Sequence, residues 1–254
     1  MTKFLAALTA LVLSLSGAAT AQSALNEILD TGVLKVGTTG DWNPMTVRDP
    51  ATNSYKGFDI DVMTELATDL GVEVEFVPTD WKTLVNGVVA GKYHMTGSAS
   101  ISPPRMKVAG FSESYIAVEI FPFTHTDKAD QFDGYESINN PDVTVATTLG
   151  TTFEALVREW FPDAEIKVVE APARGFQEVI AGRADVFITS NIEGSTLVGK
   201  FPVVQVKNTE ARSPSPIAML LPQDDQVWIN YVNNWVKVKQ AKGFFEATKA
   251  KWGL

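Results

Sequence analysis

Cysteine is absent from this chain of 254 residues, and histidine occurs only twice, as His94 and His125. Without cysteine the chain can form no disulfide, and no lipid can be attached to a cleavage-site cysteine. Two histidines and no thiol also exclude the His/Cys ligand sets of zinc sites and leave little material for a Ser/His catalytic triad. We therefore expect neither a metal site nor a cofactor.

Phosphate-binding glycine loops and basic tracts are lacking as well. No GxxxxGK[ST] or GxGxxG spacing occurs, which removes the common nucleotide-binding loops. Lys and Arg number 21 against 30 Asp and Glu, for a formal net charge of −9. An acidic chain without a Lys/Arg block argues against binding to nucleic acid or to an anionic membrane surface.

Long apolar runs are confined to the first 21 residues. Lys3 supplies a positive start, 4–16 is apolar, and small residues at Ala19 and Ala21 mark a cleavage site before Gln22. This pattern predicts a secretory signal peptide at 1–21, because the run is shorter than the ~20 apolar residues of a membrane span. We expect no membrane anchor, and export without disulfides favours a bacterial periplasm.

Strand and helix patterns alternate along the rest of the chain in two separate series. The strands are predicted at 33–39, 72–77, 93–96, 143–147, 166–169, 186–189 and 218–221, and the helices at 25–29, 60–70 (with Asp59 as its cap), 81–90, 153–160, 175–181 and 228–240. Such alternation is typical of largely parallel sheets covered on both faces, and two series predict two α/β lobes. Binding sites in these folds lie beyond the carboxyl ends of strands.

The segment SASISPPR at 98–105 follows one of these strand ends. Ser98 and Ser100 supply hydroxyls, and Arg105 can offer a planar, two-pronged contact to a carboxylate. Farther along, Gly150, Thr151 and Thr152 precede an amphipathic helix, whose free N–H groups and dipole also suit a carboxylate. An ordinary N-cap is the alternative explanation for this second segment.

Aromatic and acidic residues stand near other strand ends. Trp42 follows Asp41, and Trp81 follows a second strand; both could form the walls of a cleft, although packing inside a lobe would also explain them. Glu193 follows the strand at 186–189, where shielding from water could raise its pKa and make it a general acid. Its spacing slightly favours the alternative, an exposed glutamate in the first turn of a helix.

Five motifs in a fixed order identify a family. GTTGD (37–41), YKGFDID (55–61), SISPPR (100–105), FSESY (111–115) and GTT (150–152) resemble those of the family 3 periplasmic solute-binding proteins of ABC importers. The resemblance implies a periplasmic binding protein fold with one lobe at 22–117 and 217–254 and the other at 118–216. It also implies an ABC permease as partner and a small carboxylate ligand held by Arg105 and Ser100 on one lobe and Thr151 and Thr152 on the other.

Within that family the chain is also similar to the cyclohexadienyl dehydratases, through TTGDWNP (38–44), VPTDW (77–81) and the glutamate of IE (192–193). This second resemblance implies that Glu193 is the general acid in converting prephenate or arogenate to phenylpyruvate or phenylalanine. Two positions depart from the patterns. Ser190 stands where amino-acid binders hold the ligand ammonium with an aspartate, and Ile120 stands where the dehydratases have a basic residue.

The sequence therefore predicts a periplasmic protein that captures a small carboxylate, an amino acid or a related organic acid, for an ABC importer. The alternative is the dehydratase. The candidate ligand-binding residues are Asp41, Trp42, Trp81, Ser98, Ser100, Arg105, Gly150, Thr151, Thr152 and Ser190, and Glu193 is catalytic only in the alternative.

Overall fold

A computed structural model describes residues 22–254, so the predicted signal peptide at 1–21 lies outside the described residues. The helices are α1 (Ala24–Thr31), α2 (Phe58–Leu70), α3 (Leu84–Val89), α4 (Pro103–Met106), α5 (Thr152–Trp160), α6 (Gly175–Ile180), α7 (Asn191–Val198), α8 (Gln226–Ala241) and α9 (Phe244–Trp252), with a 3₁₀ turn at Thr126–Gln131. The strands are β1 (Val33–Thr38), β2 (Asp41–Trp42), β3 (Thr46–Arg48), β4 (Tyr55–Lys56), β5 (Glu73–Pro78), β6 (Met95–Ser100), β7 (Gly110–Phe111), β8 (Ile116–His125), β9 (Thr144–Thr148), β10 (Glu165–Val169), β11 (Val186–Ser190), β12 (Val203–Gln205) and β13 (Arg212–Leu221).

The main sheet runs in the order β10-β9-β11-β8-β13-β6-β1-β5. At one end β1 pairs in parallel with β5 and β6, and at the other β9 pairs in parallel with β10 and β11. The long strands β8 and β13 pair antiparallel with each other in the middle and join the two parallel halves. A small antiparallel sheet, β2-β3-β4, lies beside the first half.

Each half of the sheet has its own hydrophobic core. The larger core packs β1 and β6 against α2, α8 and α9 and includes Phe58, Trp228 and Phe245. Separate clusters around Phe161 and Phe187 fill the other half, between β9, β11 and the helices beside them. Two cores joined by a crossing strand pair produce two lobes, and the lobe limits given above stay a prediction. Among residues 22–254, no helix is both long enough and apolar enough to cross a membrane.

The structure corrects several local expectations. The helix predicted at 81–90 begins only at Leu84, the strand predicted at 93–96 runs on to Ser100, and the sequence patterns missed β8 and α9. Strand β8 contains Pro122, a residue that argues against a central strand, yet here Pro122 pairs with Ile188 in antiparallel register. Because of this proline, the sequence pattern alone does not predict β8.

Asp59 does not cap α2, contrary to expectation. The cap position is Gly57, whose φ of 142° places it where a side chain is rarely tolerated, and an added Cβ would lie 2.2 Å from the Met45 carbonyl oxygen. The helix, which begins at Phe58, therefore starts two residues earlier than a cap at Asp59 would give. Asp59 lies within the first turn, where its carboxyl is buried against Tyr115.

Candidate functional site

The carboxyl ends of β1, β5, β6, β9 and β10, with the segments that follow them, meet at a cleft between the lobes. A small cavity lies there between the lobes. Its lining comes from both lobes and comprises Trp42, Trp81, Ser98, Ser100, Arg105, Thr151, Thr152, Phe153 and Arg174. Seven of these nine residues are among the sequence-predicted ligand residues, and their assignment as ligand contacts stays a prediction.

Arg105 places a buried guanidinium in the lining of the cleft. Its side chain is held by α4, and only 8% of the residue is exposed. Nη1 donates to the Ser100 carbonyl oxygen and Nη2 to the Gly150 carbonyl oxygen, each at 3.2 Å. Within residues 22–254, no Asp or Glu forms a salt bridge with it. Burial lowers the pKa of Arg105 to about 10, which still leaves it cationic at neutral pH.

The N-terminus of α5 forms the facing wall. Thr151 is the N-cap residue and Thr152 the first residue of the helix, so their backbone N–H groups lie at the positive end of the helix dipole. The Thr151 hydroxyl donates to the Thr148 carbonyl oxygen at 2.7 Å, which fixes the turn that leads into the helix. Gly150 contributes its carbonyl oxygen to Arg105 and does not line the cavity.

Two tryptophans form an aromatic corner of the cavity. Trp42 and Trp81 meet edge to face with their ring centroids 6.0 Å apart. Trp81 Nε1 donates to Asp41 Oδ1 at 3.0 Å, so Asp41 holds Trp81 in place and does not itself line the cavity. Trp42 also belongs to the core of its lobe, and its buried Nε1 has no acceptor among the described residues. Both proposed roles, packing and cleft wall, are therefore combined in Trp42.

Arg174 was missed by the sequence analysis and is the most highly connected side chain of the site. It is 8% exposed, and its Nη1 lies 3.0 Å from Asp41 Oδ2 while its Nη2 donates to Glu193 Oε1 at 2.8 Å and to Oε2 at 3.0 Å. Arg174 thereby links one lobe, through Asp41, to the other, through Glu193. Arg174 follows the carboxyl end of β10, whereas the residues expected in the site from this lobe follow β9 and β11.

Glu193 is buried, so the expectation of an exposed first-turn glutamate is wrong. It is 3% exposed, and besides Arg174 it accepts a short hydrogen bond from the Thr189 hydroxyl. Glu193 lines a neighbouring cavity, which shares Thr151, Phe153 and Arg174 with the cleft cavity, and it is not among the residues that line the cleft cavity itself. Ser190 is fully buried and caps α7 by accepting from the Glu193 N–H at 3.2 Å.

Burial and charge act in opposite directions on the Arg174–Glu193 pair. Burial raises the pKa of Glu193, and the positive charge of Arg174 opposes that shift. Burial alone would lower the pKa of Arg174, but the charges of Glu193 and Asp41 outweigh it and raise the pKa. Arg174 therefore stays cationic at neutral pH. In the described part of the chain, no group of three or more His, Asp or Glu side chains could hold a metal ion.

The buried carboxyl of Asp59 positions Ser98 through the hydroxyl of Tyr115. Asp59 Oδ1 accepts from the Tyr115 hydroxyl at 2.9 Å, and that hydroxyl accepts from the Ser98 N–H at 2.8 Å. Ser98 has a φ of 43°, an unusual conformation for a non-glycine residue, and the Tyr115 contact supports it. Burial raises the pKa of Asp59 from 3.8 to about 7, with smaller opposing effects from Ser98 and Tyr115.

We expect Asp59→Asn to flatten part of the pH dependence of stability. The folded-state pKa is raised, so this group favours folding below its unfolded value near 4, and the contribution is lost as the pH rises towards about 7. Between those two pH values, the free energy of unfolding of the wild type should fall relative to that of the variant, by up to about 1.4 kcal/mol for each pH unit. Urea unfolding at several pH values measures the difference. Asp127→Asn removes one exposed carboxylate and controls for net charge, and parallel curves for Asp59→Asn and wild type would contradict the prediction.

Comparison with known proteins places the chain in a family. The sequence profile of the bacterial extracellular solute-binding proteins, family 3, matches residues 34–254. The cyclohexadienyl dehydratase of Pseudomonas aeruginosa is 31% identical over 97% of this chain and 92% of its own length. The L-cystine-binding protein TcyJ of Escherichia coli K12 is 23% identical over 90% of this chain and 85% of its own.

A solved structure shows the same architecture. The ancestral amino acid-binding protein AncCDT-1, described as a precursor of cyclohexadienyl dehydratase, superposes with a TM-score of 0.83. It is 36% identical and covers 91% of this chain and 99% of its own. The predicted fold class, a two-lobe α/β periplasmic binding protein with a cleft between the lobes, is thereby confirmed.

Proposed function

Because the chain belongs to the bacterial extracellular solute-binding proteins, family 3, we propose that it captures a small carboxylate-bearing solute between its lobes and delivers it to an ABC importer. The ligand is an amino acid or a related organic acid. The protein acts in the periplasm after removal of the signal peptide at 1–21. Sequencing the N-terminus of the protein recovered from a periplasmic extract tests the location, with Gln22 as the expected first residue.

The single observation that carries this proposal is the buried guanidinium of Arg105. Taking a charge out of water is costly unless an opposite charge or hydrogen bonds compensate it. Two carbonyl contacts at 3.2 Å compensate it only in part, and its position in the lining of the cleft makes an anionic ligand the natural partner. The N-terminus of α5, on the opposite side of the same cavity, adds a second favourable interaction for a carboxylate.

Direct binding tests the proposal. We expect a carboxylate among amino acids, oxo acids and aromatic acids to raise the melting temperature of the purified protein, because a ligand at 100 times its Kd stabilises the folded state by about 2.7 kcal/mol. Isothermal titration then gives the affinity. The uncharged amide of the best ligand is the matched control and should fail to bind. Lack of stabilisation by any carboxylate would reject the proposal.

A second function is favoured by one specific observation, the buried carboxyl of Glu193. The Pseudomonas aeruginosa relative is a cyclohexadienyl dehydratase, and burial raises the pKa of Glu193, as a general acid requires. In that reaction Glu193 would protonate the departing ring hydroxyl while carbon dioxide leaves and the ring becomes aromatic. Both carboxylate oxygens of Glu193 already accept from Arg174, which opposes protonation and makes binding the first choice.

Incubation with prephenate distinguishes the two functions. Phenylpyruvate formation that Glu193→Gln abolishes would establish the dehydratase. Arg183→Gln is the control, since Arg183 is exposed on the same lobe and bonds Glu178 outside the cleft. A rate no higher than that without protein rejects the enzyme and leaves the binding protein.

A further inference from the structure

The charges around the cleft cavity are unevenly distributed. Arg105 and Arg174 line the cavity, whereas Asp41 and Glu193, the two carboxylates of the site, do not. Both of these carboxylates contact the Arg174 guanidinium, and Arg174 lines the cleft cavity as well as the neighbouring cavity that Glu193 lines. Among the cavity-lining residues within 22–254, there are thus two cations and no anion.

We propose that Arg174 makes the cleft selective for small carboxylic acids without a cationic amine, such as 2-oxo or 2-hydroxy acids, over the corresponding amino acids. This inference rests on the proposed binding function. An ammonium group in the cavity would meet two guanidinium groups, which like itself only donate hydrogen bonds, and no carboxylate that is free to accept from it. To reach Glu193 or Asp41, the ammonium would have to displace Arg174 from three hydrogen bonds and ion pairs of 2.8–3.0 Å.

The remaining polar groups of the cavity fit an oxygen-rich ligand. Arg105 is left to take the carboxylate, because both terminal nitrogens of Arg174 are engaged by the protein. One more side chain in the lining, Trp42, has a buried polar atom, Nε1, without a hydrogen-bond partner among the described residues. The Trp42 indole N–H is purely a donor, so it suits a carbonyl or hydroxyl oxygen and cannot accept from an ammonium.

The hydrophobic lining indicates what the rest of the ligand is. Trp42, Trp81 and Phe153 present aromatic surface beside these polar groups. Aromatic walls stack on rings and cover aliphatic chains, and they contribute more to affinity than polar contacts of the same area. The preferred ligand therefore combines one carboxylate, one neutral α-oxygen and an apolar or aromatic body.

Matched ligand pairs test this selectivity by isothermal titration. Phenylpyruvate and L-phenylalanine, and 4-methyl-2-oxopentanoate and L-leucine, differ within each pair only at the α-position. For the wild type we expect the oxo acid to bind more tightly by at least about tenfold, which is a change of one decade in Kd. Arg174→Met should turn the preference towards the amino acid, because Glu193 and Asp41 then face the cavity.

Three further variants separate selectivity from structural damage. The double variant Arg174→Met/Glu193→Gln leaves no unpaired buried charge at position 193, so it can be tested even if the single variant fails to fold. Its affinities for the oxo acid and for the amino acid of a pair should become similar. Arg174→Lys retains a cation and should retain the preference for oxo acids. Arg183→Met changes an exposed arginine outside the cleft and should match the wild type.

The possible outcomes distinguish a failure of this inference from a failure of the proposed function. If amino acids bind as tightly as oxo acids, and binding depends on Arg105, the selectivity is wrong and the proposed function stands. If Arg174→Met weakens both members of a pair equally, Arg174 is only structural and the inference is also wrong. If no carboxylate binds the wild type at all, the proposed function itself fails.

Discussion

Replacing Arg105 by Met is expected to weaken carboxylate binding by about 30-fold or more, since truncating one member of a buried charge pair typically costs about 2–5 kcal/mol of binding energy. The loss should appear mainly in the dissociation rate, because the contact forms within the closed cleft. Stopped-flow fluorescence of the cleft tryptophans and isothermal titration measure the rate and the affinity.

The same substitution should leave the ligand-free protein as stable as the wild type or more stable. Arg105 is buried without a carboxylate partner in residues 22–254, so its desolvation is poorly compensated before ligand binds. Met has a similar length and no charge to bury. We therefore expect Arg105→Met to lose carboxylate binding while its melting temperature without ligand stays the same as that of the wild type or rises.

Arg183→Met is the matched control. Arg183 has a side chain that is 57% exposed and pairs with Glu178 away from the cleft. We expect wild-type affinity for this variant, because Arg183 lines neither the cleft cavity nor the cavity beside it that Arg105 also lines. Equal affinities for Arg105→Met and wild type would show that the anionic group of the ligand binds elsewhere.

The sequence predicted the parts of the site that depend on local patterns. Arg105 and the Thr151–Thr152 turn could be found because a polar loop after a strand and a cap before a helix are visible within a few residues. The helix at 175–180 and the strands around it also followed from periodicity. These features depend on short-range physics, which the sequence displays directly.

Arg174 could not be singled out in the same way, because its role depends on partners from distant parts of the chain. Asp41 lies in the other lobe and Glu193 on another helix, and nothing adjacent to Arg174 distinguishes it from an exposed arginine. Its position beyond the carboxyl end of β10 was the available signal. Glu193 was misjudged for the same reason, since its burial is a tertiary property.

Replacing Gly150 by Ala is expected to block closure of the lobes. The lobes approach so closely there that an added Cβ would lie 2.5 Å from Lys82 Cα and 2.6 Å from the Trp81 carbonyl oxygen. These are backbone atoms of the facing lobe, so no side-chain rotation can relieve the overlap. The closed form should become rare, and because apparent affinity falls with the population of the binding-competent state, we expect a loss of about 100-fold.

Gly182→Ala separates blocked closure from simple backbone strain. Gly150 and Gly182 have φ values of 79° and 68°, but a Cβ at Gly182 would meet no atom within 4 Å. Both variants should lose about 1–2 kcal/mol of stability from the left-handed conformation, and only Gly150→Ala should lose affinity. Small-angle scattering with saturating ligand should show compaction for wild type and Gly182→Ala but not for Gly150→Ala. If Gly150→Ala becomes more compact when ligand is added, the lobes close without the approach of Gly150 to Lys82, and the prediction is wrong.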